Sequence, residues 1–225
     1  MTLGLNIPKR RDHLQKLASK ILDRRVQIFL SSELGIIDDQ LAGFTSPAVS
    51  AMAQRRRPDL CRGLTPAIVV CDGQLSKKSP FLATVDFDAA VVHELGHIAE
   101  LDVTTELCSQ WGSVELERTL ATPWRTWPAH AGPRWAGHDF RFIRGLLHVI
   151  YRIESRGLKI LPGLAFDPRC YGLLSTIEEL EQSLGDEPSR NSWRPIADVL
   201  AEPAPVEFLE LWGRNVADSN KPSLI

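Results

Sequence analysis

The chain lacks several features that would assign it to a class at once. It has 4 cysteines, and no two of them have Cys-x-x-Cys spacing, so a zinc ribbon is not indicated. It also has no apolar run of membrane-spanning length, no internal repeat and no low-complexity tract. The formal net charge is only -2, which gives no overall reason to expect a polyanionic partner. These absences predict a soluble cytoplasmic globular protein that does not associate with membranes.

The length and composition are sufficient for a sizeable core. The chain has 225 residues, of which 44% are hydrophobic and 24% are charged. Basic side chains are concentrated near the start and acidic ones near the end, an asymmetry that fits oppositely charged solvated helix faces. We divide the chain into a basic helical region (1–60), a central core (61–158) and an acidic helical extension (159–225), expected to form one compact unit. No feature of the sequence indicates an oligomeric state.

The pattern of apolar residues predicts an α+β fold that is rich in helix and has a small sheet. The best strand is the short β-branched run Ala67–Cys71. The other expected elements are helices over 11–25, 26–41, 87–102 after Asp86, 104–120, and from Asp139 to near Gly157, followed by short helices to the end.

One apolar segment, VVHELGHIAE, contains chemistry that a core helix does not need. His93 and His97 are four residues apart, so a helix presents both imidazoles on one face, where they can bind one metal ion. Glu94 is rotated by about 100° from His93, so it does not complete the ligand set. It is placed instead to take a proton from a water on the metal, as in the H-E-x-x-H pattern of zinc hydrolases.

A catalytic zinc ion normally has three protein ligands, so a third must come from elsewhere in the chain. The compact form of the motif would need a glycine at position 100 and a histidine at 103, and the chain has glutamate and valine there. Glu117, on a predicted following helix, is one candidate. His138, immediately before an amphipathic helix, is the stronger one. His130 is a third candidate, either as a ligand or as a group that steadies an oxyanion.

The sequence also suggests interpretations for five further side chains. Asp139 either orients a ligand imidazole or places a negative charge at a helix N-terminus. Arg141 and Arg144 are expected to face solvent. His148 is interpreted as an ordinary histidine, packed or exposed, as is His13.

HELGH followed about forty residues later by W-x-x-H-D-x-x-F resembles the SprT-like and related short gluzincin-type metallopeptidases. The resemblance covers about residues 65–150 and does not extend to a cysteine-based zinc ribbon. It implies a zincin-like core, a Zn²⁺ cofactor and a protein or peptide substrate. Transferred to the matching positions, the resemblance implies three ligands and one catalytic base, which are His93, His97, His138 and, as the base, Glu94.

The leading functional hypothesis is therefore a zinc metallopeptidase, in which by resemblance the strand at Ala67–Cys71 pairs with an extended substrate. Two other functions share the same residues. One is a non-peptidase zinc amidohydrolase. The other is a zinc-stabilised binding module for protein or DNA, with the basic N-terminal region contacting nucleic acid. No chemistry is predicted in residues 159–225.

Overall fold

A computed structural model describes residues 7–36, 42–45, 47–63, 65–101, 138–166 and 174–219. Glu117, His130 and the helix predicted over 104–120 lie outside these described residues. What the sequence predicts for them stays a prediction.

The described residues are mostly helical. The strands are β1 (Gln27–Leu30), β2 (Gly43–Thr45) and β3 (Ala67–Val70), and Ser32–Leu34 form a 3-10 turn. The helices are α1 (Ile7–Ile21), α2 (Pro47–Arg56), α3 (Asp72–Leu75), α4 (Pro80–Leu101), α5 (Phe140–Glu154), α6 (Pro162–Phe166), α7 (Leu174–Leu184), α8 (Glu187–Arg190), α9 (Ile196–Ala201) and α10 (Val206–Ser219). The predicted α+β, helix-rich class with a small sheet is confirmed. In this described part of the chain, no helix combines the length and the hydropathy needed to cross a bilayer.

The sheet is mixed and has the strand order β1–β3–β2. β1 runs parallel to β3, with Gln27 opposite Ala67, and β2 runs antiparallel to it, with Thr45 opposite Ile68. All four residues of β3 are buried, as expected for a short β-branched run covered on both faces. The strand predicted there is confirmed.

The place of β3 in the sheet rules out the substrate-binding role expected for it. Both of its edges are hydrogen-bonded, to β1 on one side and to β2 on the other, so no further strand can add to it. That expectation was wrong, because the position of a strand within a sheet depends on pairing with distant segments. β2 is the strand at the edge of the described sheet that packs against α4.

The helix predicted over 26–41 is wrong in its described part. The segment forms β1 and the 3-10 turn, and every residue of β1 is buried. A short apolar run has no periodicity that separates a buried strand from a buried helix. Parallel pairing with β3 resolves the ambiguity.

The helix that carries HELGH begins earlier than predicted. It starts at Pro80, and the Ser79 carbonyl accepts the N–H of Ala83 at 2.9 Å. Proline is favoured at the first position of a helix because its missing N–H has no intrahelical partner there. The signal from Ser79 and Pro80 therefore overrides the weaker one from Asp86, and α4 has 22 residues.

α4 and α5 cross in close contact at a pair of glycines. A Cβ added at Gly96 would lie 3.1 Å from Phe142 Cε2 and 3.2 Å from Leu146 Cβ. A Cβ added at Gly145 would lie 3.7 Å from the Gly96 carbonyl oxygen. Gly96 is therefore explained by the approach of α5, which brings the N-terminus of α5 close to the HELGH turns of α4.

One large hydrophobic cluster includes residues from all three segments into which we divided the sequence. Leu14 and Ile28 come from the first segment, Ile98 and Ile150 from the second, and Phe208 from the third, and each is at most 2% exposed. The three segments therefore share one core.

Residues 187–203 cover a polar face of α5. Arg144 is 3% exposed, and its Nε donates to Glu187 Oε1 at 3.0 Å while its Nη1 donates to the Glu202 carbonyl at 2.7 Å. The expectation that Arg144 faces solvent was wrong, because the segment that buries it is more than forty residues away in sequence. Arg141 is exposed as expected, and His148 is fully buried with Nε2 3.6 Å from Glu187 Oε1.

Candidate metal centre

Helix α4 presents His93 and His97 side by side. Their ring centroids are 5.0 Å apart, which follows from a separation of one helical turn. Val92, Leu95 and Ile98 are buried on either side of them and hold this part of α4 in the core. The two imidazoles are therefore carried on a well-packed helix.

His138 reaches the pair from the start of α5. The next residue, Asp139, caps that helix, since its Oδ1 accepts the backbone N–H groups of Arg141 at 2.7 Å and Phe142 at 3.1 Å. The ring centroid of His138 lies 4.9 Å from that of His93 and 5.0 Å from that of His97. The helix-terminus interpretation of Asp139 is confirmed, and the cap sets the direction from which His138 enters.

The three histidines are spaced as the ligands of one metal ion would be. One nitrogen of each lies within 4.8 Å of the others, and the Nε2 atoms of His93 and His138 are 3.2 Å apart. Two nitrogens bound tetrahedrally at 2.0–2.1 Å would be about 3.3–3.4 Å apart. The structure therefore brings together the predicted ligands His93, His97 and His138 in a group able to hold a metal ion.

The tautomer of His93 also fits metal binding. Its Nδ1 lies 2.8 Å from the carbonyl oxygen of Ala165, on α6. A carbonyl oxygen only accepts, so Nδ1 carries the hydrogen and Nε2 directs a lone pair toward the other two rings. Such an outer hydrogen bond orients a ligand imidazole and raises its basicity. The sequence assigned no role to residues 159–225, and the structure brings the Ala165 carbonyl of that segment against His93.

Phe142 forms an apolar base beneath the three imidazoles. Its ring centroid lies 4.2 Å from that of His138, 4.3 Å from that of His97 and 5.1 Å from that of His93. Phe142 is fully buried, and Phe166 also packs near His138, with a centroid separation of 5.4 Å. The three imidazoles therefore pack against buried aromatic rings.

Glu94 is buried against β2. Its carboxyl group is hydrogen-bonded by the backbone N–H of Thr45, and its Cγ lies 3.6 Å from where a Cβ on Gly43 would be. Burial raises the pKa of Glu94 to about 8, and the Thr45 N–H opposes that rise. The Glu94 side chain therefore lies between α4, which carries the two histidines, and the edge strand β2.

Protein-family models, curated proteins and solved structures provide no match to this chain. The interpretation of the site therefore depends on the arrangement of its own side chains.

A second carboxyl group, Glu100, lies on the outer side of His97. Its Oε2 is 3.8 Å from His97 Nδ1, and the Glu100 and Asp139 carboxyl groups are within hydrogen-bonding reach of each other. Burial raises the pKa of Glu100 to about 8, and the negative charge of Asp139 adds to the rise. Sequence reasoning missed Glu100, although its position one turn beyond His97 is a usable signal. It also missed the Ala165 carbonyl, because every residue has a backbone carbonyl and the residue type does not show which one will contact His93.

The other candidate residues do not enlarge this site. Glu117 and His130 lie outside the described residues. His13 is exposed on α1, and His148 is packed beneath α8. Within the ranges that the structure describes, His93, His97 and His138 form the group of side chains suited to holding an ion.

Proposed function

We propose that this protein is a zinc-dependent metallopeptidase with a zincin-like core, similar to the SprT-like group. His93, His97 and His138 would hold the zinc, and Glu94 would be the general base. The observation that carries this proposal is the meeting of three imidazoles from two helices, with the His93 and His138 Nε2 atoms 3.2 Å apart. Three protein ligands with one position left open are typical of catalytic zinc, whereas structural zinc has four.

Zinc, when bound, supplies a Lewis acid that activates water and polarises a carbonyl group. Glu94 would accept the proton of the attacking water and then donate it to the departing amine. It must be ionised to begin this cycle. Burial favours its protonated form, and a nearby divalent cation favours the ionised form, so metal loading is expected to lower the pKa of Glu94 from about 8.

An extended peptide is the substrate class that suits the sheet. β2 lies at a sheet edge, packs against α4 and donates a backbone N–H to Glu94. A peptide added along the outer side of β2 would run past Glu94, with main-chain hydrogen bonds providing affinity. The pairing role first expected for residues 67–71 is thus assigned to Gly43–Thr45.

Replacing Glu94 by glutamine tests the proposal, because glutamine keeps the shape of the side chain and cannot take up the proton. We expect Glu94→Gln to retain one equivalent of zinc and to lose about 10²–10⁴-fold in hydrolysis of an unstructured polypeptide. Glu179→Gln, an exposed change of the same kind on α7, is the matched control. Wild-type hydrolysis by Glu94→Gln would refute the assigned mechanism. Hydrolysis of small amides without cleavage of peptides would favour the amidohydrolase alternative.

A further inference from the structure

The outer nitrogens of the candidate ligands differ in their partners. If Nε2 binds a metal, Nδ1 carries a hydrogen and needs an acceptor. For His93 that acceptor is the Ala165 carbonyl, at 2.8 Å. For His97, the polar atom beside Nδ1 among the described residues is Glu100 Oε2, at 3.8 Å.

The position of Glu100 follows from the same helix that positions the ligand. It lies three residues beyond His97 on α4, so its side chain is on the same helical face. The side chains of both residues are about one quarter exposed, at 25% and 26%, which leaves room for rotation. A shift of under ~1 Å brings the carboxylate to hydrogen-bonding distance.

Glu100 also contacts the helix that supplies the third histidine. Its carboxyl group is within hydrogen-bonding reach of Asp139, and Asp139 adjoins His138 in sequence and caps α5. The Glu100 side chain thus lies between α4, which carries His97, and the segment that carries His138.

We propose that Glu100 is a positioning residue of the metal centre. It accepts the Nδ1 hydrogen of His97, orients that ring toward the ion and links it through Asp139 to the segment that carries His138. The inference rests on the metal-binding part of the proposed function and is independent of whether the reaction is peptide hydrolysis.

Zinc affinity tests this role in the full-length protein. Loss of an outer hydrogen-bonding partner of a metal ligand typically weakens binding by about 10–100-fold. We expect about a tenfold weaker zinc affinity for Glu100→Gln, which keeps an uncharged acceptor, and a larger loss for Glu100→Ala. Affinity is measured by competition with a chromophoric chelator. Glu179→Gln, exposed and remote in sequence from the motif, should stay within about twofold of wild type.

The histidine ring signals provide a readout that a merely structural role would not change. In zinc-loaded protein with ¹⁵N-labelled histidine, the His97 Nδ1–H resonance should shift in Glu100→Gln, and that of His93 should not. Unchanged zinc affinity in both Glu100 variants would overturn the proposal. So would a loss of affinity in Glu100→Ala alone with the His97 resonance unmoved in Glu100→Gln.

The two proposals can fail separately. Weakened zinc binding in Glu100→Gln, together with a wild-type protein that cleaves no peptide, would support the positioning role and refute the peptidase. Peptide cleavage by the wild type with undiminished zinc affinity in Glu100→Gln would do the reverse. A wild-type protein that does not bind zinc through His97 would overturn both.

Discussion

Replacing Glu187 by leucine would leave a buried guanidinium without its counter-ion. Arg144 and Glu187 are joined by a hydrogen bond of 3.0 Å from Nε to Oε1, and both side chains are at most 5% exposed. The pair connects α8 to α5. Because both side chains are buried, its contribution to stability depends on burial as well as on charge.

Removing one partner of a buried ion pair costs about 3–5 kcal/mol, because the remaining charge is uncompensated in a medium of low polarity. Arg144 keeps its 2.7 Å hydrogen bond to the Glu202 carbonyl, so we expect the lower end, about 3 kcal/mol, for Glu187→Leu. At roughly 2–4 °C per kcal/mol for a domain of this size, the melting temperature should fall by about 6–12 °C. Replacing both partners by apolar residues, Arg144→Met with Glu187→Leu, should restore most of the stability.

Urea denaturation followed by tryptophan fluorescence would measure these differences in the free energy of unfolding. Asp186→Asn is the control, since Asp186 adjoins Glu187 in sequence but is exposed and pairs with Arg190 four residues further on, and an exposed pair is worth at most about 1 kcal/mol. The reasoning fails if Glu187→Leu costs less than about 1 kcal/mol, or if the double variant is as unstable as the two single changes added together.

Two other predictions concern histidines. His148 is buried beside Glu187, and burial holds its pKa below the ordinary value. Below pH ~6.5 the unfolded chain therefore binds a proton at this histidine more readily than the folded chain does. The free energy of unfolding should fall as the pH falls. His148→Leu should lose that part of the slope, at most about 1.4 kcal/mol per pH unit, and an identical pH profile in the variant would contradict the prediction. His138→Ala should lose or greatly weaken the zinc bound by wild-type protein, measured by elemental analysis after gel filtration, and full zinc content would direct attention to Glu117 or His130.

Features that depend on neighbours within one or two helical turns were predictable from the sequence. The shared face of His93 and His97 is a property of any helix, and the cap at Asp139 needs only the next three residues. The strand at 67–71 was identifiable from its β-branched run and its turn residues. A glycine at position 96, inside a helical run, also indicates close packing against the backbone there, although it does not indicate which helix packs.

Features that depend on distant segments were not predictable in this way. β1 forms a strand because β3 pairs with it across some forty residues, and the same pairing denies β3 a further partner. Arg144 is buried because residues 187–203 fold over α5, which the amphipathic pattern of α5 cannot reveal.

The candidate metal site itself combines local features with features that depend on distant segments. Local helical geometry is enough to place two imidazoles and a carboxylate on neighbouring faces of one helix, so HELGH is informative before any fold is known. His138 was named from its position before an amphipathic helix and from the resemblance, but its meeting with the other two imidazoles, the Ala165 contact and the approach of Glu100 to Asp139 exist only where α4, α5 and α6 pack together. Those contacts arise from long-range packing, which short sequence patterns do not encode.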